Sequence, residues 1–121
     1  MLSWQTARKL ALALPEAEEL PHFDKPSFRV RGKIFATLSA PDARVTLKLS
    51  PADQMALTTL DGEAIRAVEG YSGRSGWTEV KLEQTHAEQL QGLLLQSWRQ
   101  VAPRRLIAAF DAEHQDLQAD P

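Results

Sequence analysis

The chain of 121 residues contains no cysteine. That excludes a disulfide framework, a thiolate zinc site and a cysteine nucleophile, and it fits a cytoplasmic protein. No apolar run approaches the roughly 18 residues that a membrane span requires. The apolar stretch in MLSWQTARKLALALPEAEEL has helical periodicity and lacks a small-residue cleavage site, so it reads as a first helix and not as a signal peptide. Neither sign of charge dominates: 14 basic residues face 16 acidic ones, and the net charge is −2. Global electrostatics therefore do not favour a polyanion. Three histidines are present without HxxxH or His-x-His spacing, and His22 with Asp24 gives two ligands where a metal needs three or four. No metal and no cofactor are expected. GYSGRSG at 70–76 is glycine-rich, but no GK[ST] closes it and no helix pattern follows directly, so a surface loop is expected there. Ser97 lies on a helix without a nucleophile-elbow motif, and no catalytic residue is assigned. There is no internal repeat and no low-complexity tract.

The positive charge is unevenly placed. Residues 25–50 carry a net +5, against −2 for 1–24, −3 for 51–72, +2 for 73–110 and −4 for 111–121. The basic stretch, PSFRVRGKIFATLSAPDARVTLKLS at 26–50, has strand periodicity. Phe28 and Val30 alternate with Arg29 and Arg31, the period of 2 that marks a half-buried strand. Arg31-Gly32 is a hairpin turn signal, since glycine accepts positive φ. In the return strand Lys33–Ser39, alternation predicts Ile34, Ala36 and Leu38 inward and Phe35 outward. Ala40–Ala43 reads as a second turn. Val45, Leu47 and Leu49 then alternate with Arg44, Thr46 and Lys48.

Around this meander the pattern is helical. Ser3 is an N-cap for a helix over 3–14 whose apolar residues are Trp4, Ala7, Leu10, Ala11 and Leu14, and Pro15 ends it. A short edge strand is expected near Leu20–Phe23. Ser50-Pro51 reads as N-cap and first helical residue of a helix reaching Leu60. Residues 63–76 read as loop, and Trp77–Leu82 as a strand with Trp77, Glu79 and Lys81 on one side. Thr85-His86-Ala87-Glu88 has the form of a capping box. It opens a helix to about Val101 with Leu90, Leu93, Leu94, Ser97 and Trp98 in its buried stripe. Pro103 opens a last helix with Leu106, Ile107 and Phe110 inward. Arg99, Arg104 and Arg105 cluster near the junction, where a helix C-terminus favours cations. One domain is expected over 1–110, followed by a frayed acidic tail over 111–121. The class is α+β: an antiparallel sheet with helices packed on one face. The other face stays open.

PSFRVRGKIFATL at 26–38, VTLKLS at 45–50, GWTEVKL at 76–82 and LLLQSWRQVAPRRL at 93–106 resemble the MmcQ/YjbR family of small bacterial proteins. The most specific parts are Gly32–Ala36, Lys48 and the Gly76-Trp77 pair, and the likeness extends from the first helix to Phe110. Members are commonly labelled DNA-binding because the fold looks like the double-wing DNA-binding domain of a phage transcription factor. The resemblance implies an α+β sheet with protruding hairpins facing DNA, and it brings no catalytic residues. Fold analogy by itself does not establish function.

Arg29, Arg31, Lys33, Arg44 and Lys48 are accordingly the candidate nucleic-acid-binding residues, with the Arg31-Gly32 hairpin as a wing. The competing explanation is that outward strand positions are polar in any sheet and that basic residues guard edges. Phe35, Tyr71 and Trp77 are candidates for stacking on bases, or else they pack in the core. Two alternatives to DNA binding remain: a protein-interaction or regulatory domain using the acidic segments or an apolar patch, and a small-molecule site under the 63–76 loop. The expected solution state is a monomer or weak dimer.

Overall fold

The structure, a computed structural model, describes residues 2–118. Helix α1 (Trp4–Leu12) is followed by strands β1 (Ala17–His22), β2 (Lys25–Val30), β3 (Lys33–Ser39) and β4 (Arg44–Lys48). Helix α2 (Pro51–Leu60), strand β5 (Ile65–Ala67), helix α3 (Tyr71–Arg74), strand β6 (Trp77–Lys81), helix α4 (Ala87–Val101) and helix α5 (Arg104–Gln118) complete the chain. The strands form one sheet in the order β1-β2-β3-β4-β6-β5, and every neighbouring pair is antiparallel. The α+β expectation therefore holds.

Local chemistry accounts for several of these elements. Ser3 Oγ accepts from the Thr6 N–H at 3.1 Å and caps α1; Ser50 Oγ accepts from Asp53 N–H at 3.1 Å and caps α2, with Pro51 in its first turn. Arg31 and Gly32 both have positive φ (50° and 84°), the requirement of a type I′ turn, and they join Val30 to Lys33. In β4, Val45 and Leu47 are buried while Arg44, Thr46 and Lys48 are not, and β6 buries Thr78 and Val80 in the same way.

The core lies between one face of the sheet and the helices α1 and α4. Leu90, Leu93, Leu94, Ser97 and Trp98 are the buried stripe of α4. They meet Phe28, Val30, Leu38, Leu47 and Val80 from the strands. The Trp98 indole N–H donates to the Pro15 carbonyl at 2.9 Å, tying α4 to the exit of α1, and its ring packs against Phe110 of α5 at 5.4 Å. Such a buried indole needs its N–H satisfied, and here it is.

Three sequence expectations are corrected. In β3 the alternation breaks: Phe28 pairs with Ala36 but Arg29 pairs with Ile34, so Phe35 is an extra, bulged residue. Phe35 and Ala36 are consequently both buried, and Ile34 moves to the other face. Of the two readings of Phe35, stacking or core packing, the structure shows core packing. Second, 63–76 is not all loop: β5 adds to the edge of β6, and α3 is a single turn. Third, Thr85 does not cap α4. Its hydroxyl donates back to the Lys81 carbonyl at 2.7 Å, and the N-cap is His86, with no side-chain bond. Helix α5 runs through Asp111 to Gln118, and residues 119–121 lie outside the described residues. The edge strand near Leu20 is also longer than expected, running from Ala17 to His22 in full register with β2.

Candidate functional site on the open sheet face

The face of the sheet turned away from α1 and α4 is set by strand alternation. Cross-strand register aligns Ser27, Thr37, Thr46 and Glu79 along one row. Lys48 and Trp77 pair on an adjacent row, and Arg44 and Lys81 pair on the row beyond Thr46 and Glu79. Across the bulge, Arg29 pairs with Ile34. No helix of the α1–α4 layer covers these positions.

The five basic candidates fall into different surroundings. The Arg29 guanidinium donates to Ser27 Oγ at 3.0 Å and to the Pro21 carbonyl at 3.4 Å, so neutral oxygens orient it and its charge is uncompensated by any of these bonds. Lys48 lies on the open face with its Nζ 5.9 Å from the centre of the Trp77 ring, a cation–π contact. Among the described residues neither of these two is in a salt bridge. Arg44 is on the same face, but it donates to Glu79 Oε1 at 3.4 Å, and Arg66 of β5 donates to the same oxygen at 3.2 Å. One carboxylate is thus shared by two cations. Arg31, in the type I′ turn, binds Glu16 through two bonds of 3.0 and 3.3 Å. The hydrogen bond from Arg31 holds the Glu16 carboxyl below the usual carboxylate range. Lys33 is opposite Val30 in the hairpin and so takes the pleat side of Val30, away from the open face. The structure therefore brings Arg29, Arg44 and Lys48 to one surface and sets Arg31 and Lys33 apart from it.

An open groove of about 590 Å³ lies on this face. One wall is the β1–β2 hairpin, His22 to Lys25. Ile34, Trp77 and Val68 supply apolar surface, and Thr37 and Thr46 supply hydroxyls. The segment 68–72 approaches from the far side, and Tyr71 beside it is 78% exposed. Sequence reasoning missed the hairpin tip entirely. Phe23 occupies the first position of a two-residue loop between His22 and Lys25, has φ +58°, and is 93% exposed. The only sequence signal was the polar His22-Phe23-Asp24-Lys25 setting of an aromatic between two prolines.

Gly76 positions Trp77. A Cβ at Gly76 would stand 2.0 Å from the Leu49 carbonyl oxygen, and its φ is +113°, so only glycine fits where the Leu49 N–H donates to the Gly76 carbonyl at 2.9 Å. Gln54 of α2 fixes the same segment, its amide nitrogen lying 2.9–3.1 Å from Gly73 O, Trp77 O and Thr78 Oγ1.

Ser97 is not exposed for chemistry. Its hydroxyl donates to the Phe35 carbonyl and accepts from the Lys48 N–H at 2.8 Å, both in the buried layer. Among the described residues no three His, Asp or Glu side chains converge in a metal-like cluster. No helix of the described residues is long and apolar enough to cross a membrane.

These features define a small α+β domain with one helix-covered and one open sheet face. The chain matches the YjbR family across residues 12–100, and it belongs to that family. The crystal structure of the Deinococcus radiodurans protein DR2400, a DUF419 domain, is similar in fold: TM-score 0.70, 24% identity, 81% of this chain and 77% of that chain covered. No curated protein matches the chain.

Proposed function

We propose that this YjbR domain is a non-enzymatic DNA-binding module of the bacterial cytoplasm that meets phosphates with the open face of its sheet. The observation that supports the reading is the pair Arg29 and Lys48: two cations on one uncovered face with no carboxylate partner among the described residues. Desolvating a cation that is already bound to a carboxylate gains little from a phosphate, whereas these two are available. Arg44 adds to the face only in part, because Glu79 competes for it. Arg31 and Lys33 contribute to the field around the hairpin without facing the same surface.

The test is fluorescence anisotropy with labelled DNA at about 50 and 200 mM salt, comparing the protein with the double variant Arg29→Glu, Lys48→Glu. Binding that weakens steeply with salt and is lost in the double variant supports the face as the site. Equal binding by the double variant sinks it. Absence of binding at the lower salt, with capture of a protein partner instead, favours the interaction-domain alternative.

A further inference from the structure

Phe23 combines two costs that a folded chain does not normally carry together. Its φ of +58° is a left-handed conformation that is rare for a bulky residue and strained for it. The hairpin position it holds is ordinarily given to glycine, asparagine or aspartate. Its side chain is 93% exposed, so the ring recovers almost nothing by burial in its own fold. The neighbouring His22 ring meets it edge-on, with centroids 4.7 Å apart at 66°. Phe23 stands in the wall of the groove that also holds Trp77, and Lys48 lies against the Trp77 ring.

We propose that Phe23 and Trp77 are stacking residues for the unpaired bases of single-stranded nucleic acid, with Lys48 and Lys25 beside them for the phosphates. The inference rests on the nucleic-acid reading of the open face and narrows it to single strands. Charge complementarity and ring placement favour this occupant together. Two aromatic residues line one groove, with Ile34 and Val68 as further apolar surface. Cations flank the rings at Lys25, in the hairpin itself, and at Lys48. Asp24 is the one carboxylate among the lining residues, and Lys25 directly follows it. A duplex keeps its bases stacked inside and offers such rings nothing to lie on, while a single strand exposes every base face. Each stacked base is worth about 1–3 kcal/mol, which is about 5- to 150-fold in affinity.

The deciding experiment compares the wild type with Phe23→Gly and Phe23→Trp, using a labelled oligo-dT and a blunt duplex of mixed sequence, alongside thermal melts. Phe23→Gly relieves the backbone strain, so its melting temperature is expected to equal or exceed that of the wild type. Its affinity for oligo-dT is expected to fall about 5- to 150-fold, with little change for the duplex. Phe23→Trp is expected to keep single-strand affinity. Unchanged oligo-dT binding by Phe23→Gly overturns the inference and leaves the basic face standing. An equal loss for duplex and single strand, or a large fall in melting temperature, also overturns it. A wild type that binds neither probe defeats both this inference and the reading beneath it.

Discussion

Ser97 sits between two strands at the place where the β3 bulge interrupts their ladder. The β3–β4 register begins at Ala36 and Leu47, so the Phe35 carbonyl and the Lys48 N–H lie just beyond the paired region. The serine hydroxyl satisfies both from the facing helix. A buried backbone group without a partner costs about 1–3 kcal/mol. Ser97→Ala is therefore expected to lower stability by about 2–4 kcal/mol in urea unfolding with an unchanged m-value. A loss below about 0.5 kcal/mol would show that water or a backbone shift takes over the two bonds. Because the N–H in this bond is that of Lys48 itself, whose side chain lies on the open face, the serine also holds the backbone that carries that lysine.

At the scale of elements, α5 is joined to the rest by a small set of contacts. Leu106, Ile107 and Phe110 are partly buried against the core, and Arg99 of α4 binds Asp111 through two hydrogen bonds while its guanidinium lies 5.6 Å from the Phe110 ring. The Arg99 hydrogen bond, helped by its charge and that of His114, holds the Asp111 carboxyl below the usual carboxylate range despite the opposing effect of burial. A carboxyl whose folded pKa is depressed stabilises the fold above its unfolded pKa, and that contribution disappears as pH falls through the folded pKa. The difference in melting temperature between wild type and Asp111→Asn is accordingly expected to be present at neutral pH and to close in acid. A difference that persists unchanged at low pH would show that the carboxylate charge is not what joins α5 to α4. Both side chains are more than a third exposed, so solvent screens the pair and the effect is modest. The hairpins follow a different logic: β1–β2 and β2–β3 are fixed by turn geometry and register, and the ion pair Arg31–Glu16 closes the far end of β1 against β2.

For the whole molecule, net charge opposes polyanion binding and local arrangement favours it. The chain carries −2 overall with a sequence pI near 5.9. A duplex contact through all five basic candidates would give a log–log salt slope of about −4.5, at about −0.9 per phosphate. Contact through Lys25, Arg29 and Lys48, the cations near the groove without a carboxylate partner among the described residues, gives about −2.7 on a duplex and, at about −0.7 per phosphate, about −2.1 on a single strand. The shallower slope is expected for the wild type. Glu79→Gln removes the carboxylate shared by Arg44 and Arg66 and is expected to strengthen binding and steepen the slope by about 1–2. A Glu79→Gln protein with wild-type affinity and slope would place both arginines outside the contact.

Periodicity made much of this fold legible. The alternations in β2, β4 and β6 and the stripe Leu90 to Trp98 on α4 each record a burial pattern that a single element imposes on its own residues. Ser50-Pro51 and Arg31-Gly32 likewise announce a helix start and a turn through local backbone chemistry. Three features lay beyond that reach. The bulge at Phe35 depends on how β3 pairs with β2, and a one-residue slip reverses which side chains are inward. Strand β5, of three residues, exists because β6 offers an edge to pair with. The fate of the basic residues was decided by carboxylates distant in sequence: Arg44 and Glu79 are 35 residues apart, Arg31 and Glu16 are 15 apart. By itself, then, the sequence determined the α+β class, the main elements and an open face rich in basic residues, because those follow from local periodicity and charge. Only the tertiary structure decided which cations stay unpaired and that Phe23 and Trp77 share a groove, because pairing and proximity across the sheet are set by register and by chain segments that meet only after folding.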